Sequence, residues 1–213
     1  MKSSPRIVLA STSLRRKEIL SLLGIPYQLV SPPFEETWNR RRSAREEVIA
    51  FSEGKAGSVE CDFPRSIIIG SDTLIEDREG KIGKPSGDEE AKQILRRLQG
   101  RRHHIWTAVV LIDTTDYSTC LAVEKVEIIM HQMRDDEIES YVSTGEPLDK
   151  AGAYSIQGEG RRFIRRLKGD YLAAVGLPLR PVADFLCRRQ IHFPLDIERL
   201  YREKNFLNWK TFS

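Results

Sequence analysis

The chain has 213 residues, of which 40% are hydrophobic, enough to bury one substantial core. Charged residues make up 31% and leave a formal net charge of +3, a balance that excludes a disordered chain or a strongly basic polymer. No apolar run approaches the ~20 residues that span a bilayer. The cysteines, Cys61, Cys120 and Cys187, lie far apart without CxxC spacing. They argue against a disulfide framework or zinc site and for a reducing cytoplasm.

The N-terminal "MKSSPRIVLAST" reads as a strand over Arg6–Ala10, without the apolar core and cleavage site of a signal peptide. A helix follows from about Ser13 to Leu23, with Leu14, Ile19, Leu22 and Leu23 on its apolar face and Gly24 and Pro26 ending it. "YQLVSP" (27–32) gives a second strand. Residues 43–60 open with a Ser43–Glu46 capping box and continue at helical spacing. "SIIIG" (66–70) is an unbroken apolar run with turn chemistry after it, the pattern of a strand buried on both faces. A hairpin through "EDREGK" and the loop "GKPSG" lead to the helix "DEEAKQILRRLQG", acidic in its first turn and followed by a stop at Gly100.

Two long strands, "HIWTAVVLID" and "LAVEKVEIIM", flank a turn near Thr114–Ser118. "RDDEIESYVSTGE" predicts a helix, "FIRRLK" a strand and "PLRPVADFLCRR" a last helix. Beyond Gln190 no period is evident. The division is thus one domain over residues 1–190 with an extension, 191–213, of no assigned role. The mixture predicts an α/β fold, a mixed central β-sheet flanked by helices.

Arginine clusters at 39–45, 96–104 and 160–170 offer a phosphate or nucleic-acid surface. Interleaved acids and the small net charge favour ordinary solvated faces instead.

Four stretches could carry chemistry. In "LASTSLRR", a strand-to-helix turn supplies unpaired N–H groups, the hydroxyls of Ser11 and Ser13, and the guanidinium groups of Arg15 and Arg16, together an anion site. A plain hydroxyl N-cap would look similar. In "IIIGSDTLIEDREGKIGKPSG", Asp72 follows a buried strand, placed to bind metal or accept a proton, although turn aspartates are also common. Lys84, across the hairpin, could fold back towards it. In "PPFEETW", Glu35 and Glu36 could join Asp72 around Mg²⁺, or simply decorate an acidic loop. The Gly-rich "GEPLDKAGAYSIQGEG" (145–160) marks a structured loop in which Gln157 could read a base edge. His103 and His104 have no second ligand at metal spacing and read as structural.

Taken together, in this order, these stretches resemble the Maf family of nucleotide pyrophosphatases over roughly residues 6–187. The resemblance rests on Ser11, Ser13, Leu14, Arg15, Arg16 and "EILSLLG"; on Gly70, Ser71, Asp72 and Thr73; and on Gly83, Lys84 and Pro85. It rests also on "LQGRRHHIWTAVVL", with His103 in the family's histidine place, on "YVSTGEPLDKAGAYSIQGEG" and on "VGLPL". It implies two lobes with a nucleotide-binding cleft, like inosine triphosphatases, and hydrolysis of nucleoside triphosphates to monophosphate and pyrophosphate with Mg²⁺, Mn²⁺ or another divalent cation. It places the proton acceptor on Asp72, phosphate-binding cations on Arg15, Arg16, Lys84 and Lys55, and the acidic partner on Glu36, so that Glu36 and Asp72 hold the metal. Arg15, Thr73 and Gln157 resemble the dTTP/UTP branch, and not the branch acting on 7-methyl-GTP. A cytoplasmic homodimer, with neither membrane nor nucleic acid as partner, is also implied. The alternatives are the same chemistry on 7-methyl-GTP or another modified nucleotide, or a non-catalytic nucleotide- or nucleic-acid-binding regulator of cell division. Leu14, Gly54 and Ser71 depart from the family's usual proline, glutamate and alanine without removing an assigned charge.

Overall fold

Residues 5–212 are described by a computed structural model. The first four residues of the stretch assessed for a signal peptide, and Ser213 of the extension, lie outside the described residues. Strand β1 (Arg6–Ala10) leads through helix α1 (Leu14–Ser21) to the parallel strand β2 (Gln28–Val30), and helix α2 (Ala44–Gly57) then leads to β3 (Ser66–Asp77). The short β4 (Gly80–Ile82) folds back on β3, with Ile75 opposite Ile82. After helix α3 (Asp88–Leu98), the long strands β5 (Arg102–Asp113) and β6 (Ser118–Met130) form an antiparallel hairpin. Helix α4 (Asp135–Val142), a chain of 3₁₀ turns, β7 (Ile164–Lys168) and helices α5 (Tyr171–Val175), α6 (Leu179–Arg188) and α7 (Ile197–Glu203) complete the chain. The seven strands form one mixed sheet in the order β2-β1-β3-β5-β6-β7, with β4 paired to β3. This is the α/β architecture expected from the sequence.

Successive side chains of a strand point to opposite faces, and β3 uses both. Ile67 and Ile69 join the larger core with residues of α1, α3, α5 and α6. Ile68 packs with Val8, Val110 and Ala56 of α2, and Leu74 with Val48 of α2. A strand covered on both faces needs an unbroken apolar run, which is why "SIIIG" does not alternate. Continuing the alternation, positions 70 and 72 belong to the α2 face, and positions 71 and 73 to the opposite face. That register prepares the site described below.

The structure amends the sequence reading in three places, the first being Leu14, expected on the apolar face of α1 but 71% exposed. β3 does not stop at Gly70 but runs on to Asp77, so Asp72 is a mid-strand residue and not a turn residue. Residues beyond Gln190 also carry structure. α7 and a final 3₁₀ turn return to the body, and Leu200 and Trp209 join the larger core. Segments of seven and four residues are too short for a helical period to stand out in sequence.

One of the three arginine clusters, 96–104, is answered by acids. Arg96 and Arg97 pair with Asp135 and Asp77, Arg101 with Glu79, and Arg102 with Glu127. Arg165, Arg166 and Lys168 project from the edge strand β7, where charge discourages pairing with another sheet.

His103 is fully buried on β5, its Nε2 2.7 Å from the Tyr154 hydroxyl, and burial holds its pKa down at about 3. The native state therefore keeps it neutral, while the unfolded chain protonates it below its ordinary value of 6.5. Stability is unaffected above that value and is lost as pH falls through the window from 6.5 towards 3. Urea denaturation at pH 7.5 and 5.5 should show this group removing about 1.4 kcal/mol over that interval. His103→Gln should flatten the dependence by that amount.

Candidate functional site

The site is assembled by three close approaches. Gly70 lies under α2 so tightly that a Cβ there would stand 2.4 Å from the Ser52 carbonyl oxygen and 2.8 Å from Ala56. Helix and sheet can meet this closely only because Gly70 has no side chain. Two residues on, Asp72 faces the same helix, and Lys55 near the end of α2 donates from Nζ to Asp72 Oδ1 at 2.5 Å. Third, the loop after β2 brings Glu36 to the same ammonium, its Oε1 2.6 Å from Nζ. Lys55 therefore stands between two carboxylates from separate elements.

The loop carrying Glu36 is fixed at both sides. The Phe34 ring sits over Gly54, 2.1 Å from where a Cβ would be, so the place of the family's usual glutamate is taken by an aromatic ring from the loop. Farther along, the Glu47 carboxylate, wholly buried, accepts from the Asn39 N–H at 2.9 Å and from Lys81 Nζ at 2.7 Å. Lys81 also donates to the carbonyls of Asn39 and Arg42 and lies 5.4 Å from the Trp38 ring centroid. Trp38 in turn covers Gly83, just before Lys84.

Arg16 reaches the cluster from α1. Its Nε donates to the Gly176 carbonyl at 2.9 Å, its Nη1 lies 3.4 Å from Ser11 Oγ, and its Nη2 lies 3.8 Å from Asp72 Oδ1. Ser13 N donates to Ser11 Oγ at 3.1 Å, while the Ser13 side chain caps nothing, leaving the first turn of α1 open to an anion. On the opposite face of β3, Ser71 Oγ lies 2.7 Å from the Ala108 carbonyl and 3.0 Å from that of Gly176. Thr73 Oγ1 pairs with Thr107 Oγ1 at 3.0 Å, and Thr107 donates to the Ala173 carbonyl at 2.8 Å. Gly176 and Thr107 were not singled out from the sequence. The only signal for them was membership in the "VGLPL" and "HIWTAVV" blocks.

Asp72 is 4% exposed, and its Oδ2 is buried without a hydrogen-bond partner. Burial pushes its pKa up, helped by the Glu36 charge, against the pull of Lys55 and Arg16. Burial acts on Glu36 in the same sense, but the Lys55 hydrogen bond and charge, with Lys84 and Arg16 behind it, hold that carboxyl below its usual range. Two neighbouring carboxylates thus differ, one driven towards taking a proton and one kept ionised. For Arg16, burial lowers the pKa, as does neighbouring Arg15, while Asp72 and Glu36 raise it.

Glu36, Lys55, Asp72 and Arg16 therefore meet directly. Lys84 is exposed just beyond β4, close enough for its charge to act on Glu36; the hairpin before it is present, but among the described residues Lys84 makes no ion pair with Asp72. Arg15 is half-buried beside Arg16 and near Asp149. Gln157 stands apart: among the described residues it exchanges no hydrogen bond with the cluster, and its Nε2 is buried without a partner. Glu35 is exposed.

No group of three or more His, Cys, Asp or Glu side chains among the described residues forms a closed metal site. The donor set nonetheless fits a divalent cation of the magnesium kind. Glu36 and Asp72 converge on one cationic centre, and Asp72 Oδ2 is an unused buried donor atom. Magnesium commonly takes one or two carboxylates and completes its shell with water and substrate phosphate.

Comparison with known proteins points to one family. The family model described as Maf-like protein matches residues 6–189. A protein of Bacillus velezensis named dTTP/UTP pyrophosphatase is 42% identical over 174 residues, covering 82% of this chain and 91% of the relative. Relatives of the same name in Dictyoglomus thermophilum and Bacillus cereus are 40% and 37% identical, covering 81% and 90% of this chain and 90% and 97% of their own lengths.

The close approach at Gly70 is directly testable. Gly70→Ala should destabilise the fold by about 1–3 kcal/mol through overpacking against backbone. Because the displaced helix carries Lys55, turnover in the folded fraction should fall as well. Denaturant titration beside an activity assay on the same preparation checks both.

Proposed function

The chain belongs to the Maf family, and from that premise we propose that it is a nucleoside triphosphate pyrophosphatase acting on dTTP and UTP. The observation that carries this reading is the buried, unpartnered Oδ2 of Asp72 beside the ammonium that Asp72 shares with Glu36. A site used only to bind a polyanion gains nothing from a buried proton acceptor, whereas hydrolysis needs one.

Asp72 takes a proton from a water molecule, whose oxygen forms a bond to the α-phosphorus. The bond from that phosphorus to the bridging oxygen breaks, and the monophosphate and pyrophosphate leave. Burial serves this step because it raises the affinity of Asp72 for the proton it must accept. Arg16, Lys55 and Lys84 face the charge that builds on the phosphate oxygens, where fixed donors contribute most. Arg16 is already oriented by the Gly176 carbonyl, and so pays little reordering on binding. Ser11, Ser13, Arg15 and the open N–H groups of α1 grip the remaining phosphate oxygens. Glu36 and Asp72 hold Mg²⁺ or a similar divalent cation, which supplies charge neutralisation for the phosphates.

Thr73 and Gln157 read the base. The amide of Gln157 offers a paired donor and acceptor, and its Nε2 has no protein partner to give up when a ligand arrives. Support for a homodimer comes from the family resemblance alone. Support for a reducing compartment comes from three free cysteines.

Release of pyrophosphate, as against orthophosphate, from a panel of nucleoside triphosphates with Mg²⁺ tests the proposal. Pyrophosphate should come from dTTP and UTP, and Asp72→Asn should lower the rate by about 10²–10⁴, the contribution of a positioned general base. Turnover of 7-methyl-GTP alone would keep the chemistry and reject the base assignment. Full activity in Asp72→Asn would reject the proton acceptor.

A further inference from the structure

The extension beyond residue 189, which the family match does not cover, is packed against the two segments that the substrate site relies on. Asn208 is buried, and its Nδ2 donates to the Ile156 carbonyl at 2.6 Å, one residue before Gln157. Its Oδ1 accepts from the Tyr171 hydroxyl. The next residue, Trp209, stacks on the Tyr171 ring at 5.3 Å and 14°. Tyr201 of α7 meets Trp209 edge-on at 5.0 Å and donates its hydroxyl to Asp170 Oδ2 at 2.7 Å. Asp170 caps α5 through Leu172 and Ala173 N–H groups. The carbonyls of Ala173 and Gly176, at the far end of that helix, receive Thr107 and Arg16.

On its other side the Gln157 segment is held entirely from the body. Tyr141 and Glu146 accept from the N–H groups of Ser155, Glu159 and Gly160, and Ser155 Oγ accepts from Gly158 N. The Ile156 carbonyl is the point at which the extension takes hold. The same extension residue grips Tyr171 at the start of α5, so one amide spans from the base-reading loop to the helix that anchors Arg16.

We propose that residues 191–212 are a positioning element of the substrate site, and that Asn208, through the Ile156 carbonyl, sets where Gln157 meets the nucleobase. The proposal rests on the reading of Gln157 given above. Asn208 touches no substrate; it is a positioning residue, and base selectivity is the property it controls. Losing only its donor to Ile156 leaves the Tyr171 contact, and with it Asp72, Lys55 and Arg16, in place while the base-reading amide loses its fixed location. The effect then falls on KM and on discrimination between bases, with kcat little changed.

Asn208→Asp in the full chain tests this. It keeps the shape and the acceptor for Tyr171 but removes the donor to Ile156; if the buried carboxylate prevents folding, Asn208→Ala is read against Tyr171→Phe, which removes the α5 contact alone. Amide hydrogen exchange at Ser155, Gly158, Glu159 and Gly160 should quicken, while β3 and β5 stay protected. KM for dTTP should rise about three- to tenfold, the weight of one net hydrogen bond, and the preference for dTTP over ATP should narrow. Unchanged exchange at those four amides in a folded variant overturns the proposal. So does faster exchange accompanied by an equal loss for dTTP and ATP, or a loss in kcat alone, since that describes a purely structural tail. If wild-type protein releases pyrophosphate from no nucleotide, the functional reading fails, and the exchange measurement still decides whether the extension holds the 155–160 segment.

Discussion

The ammonium of Lys55, set between Asp72 and Glu36, is the interaction around which the rest of the site is arranged. Burying Asp72 and Lys55 out of water, with the more exposed Glu36 on the same ammonium, is costly unless each charge has a partner. Here each has one, and the three come from a helix, a mid-sheet strand and a loop. Removing Lys55 would leave the buried Asp72 without its nearest cation, so the cluster demands a particular docking of those elements. Gly70 permits the helix to descend onto the strand, and Phe34 over Gly54 brings the loop down to the helix.

A second buried pair, Glu47 with Lys81, does for the loop what Lys55 does for the site. It joins α2 to β4 and ties down the Asn39 and Arg42 carbonyls between them. Lys84 follows only three residues after Lys81, and Trp38 covers the intervening Gly83. Glu36 and Lys84 are thus carried on segments fastened to each other, which would suit the proposed grip on one triphosphate from two sides. Rigid mounting of this kind keeps catalytic groups near their working geometry before the substrate arrives.

Much of this was legible in the sequence. The capping box at Ser43–Glu46 is present as read, and so is the hairpin before Lys84. Buried strands announce themselves by unbroken Ile runs, and the Arg15–Arg16 pair stands out against small hydroxyl residues. Asp72 was found, but its setting was misjudged, because an aspartate after "IIIG" looks like a turn and only the pairing with β5 extends the strand past it. Contacts between distant segments were illegible. Nothing local in "VGLPL" says that the Gly176 carbonyl will hold Arg16, 160 residues away. The extension was silent for the same reason: Asn208 and Trp209 act through Tyr171 and Ile156, and short helices that pack by a few aromatic contacts leave no period to detect.

The central claim is that Lys55 and Asp72 work as one unit, and a double-mutant cycle measures that coupling directly. Lys55→Met, Asp72→Asn and the combined variant would be compared by kcat/KM for dTTP, with folding confirmed for each. If the two form one unit, the double variant loses no more than the worse single variant, because either change already disables the pair. Losses that multiply would show two side chains acting independently and would contradict the account.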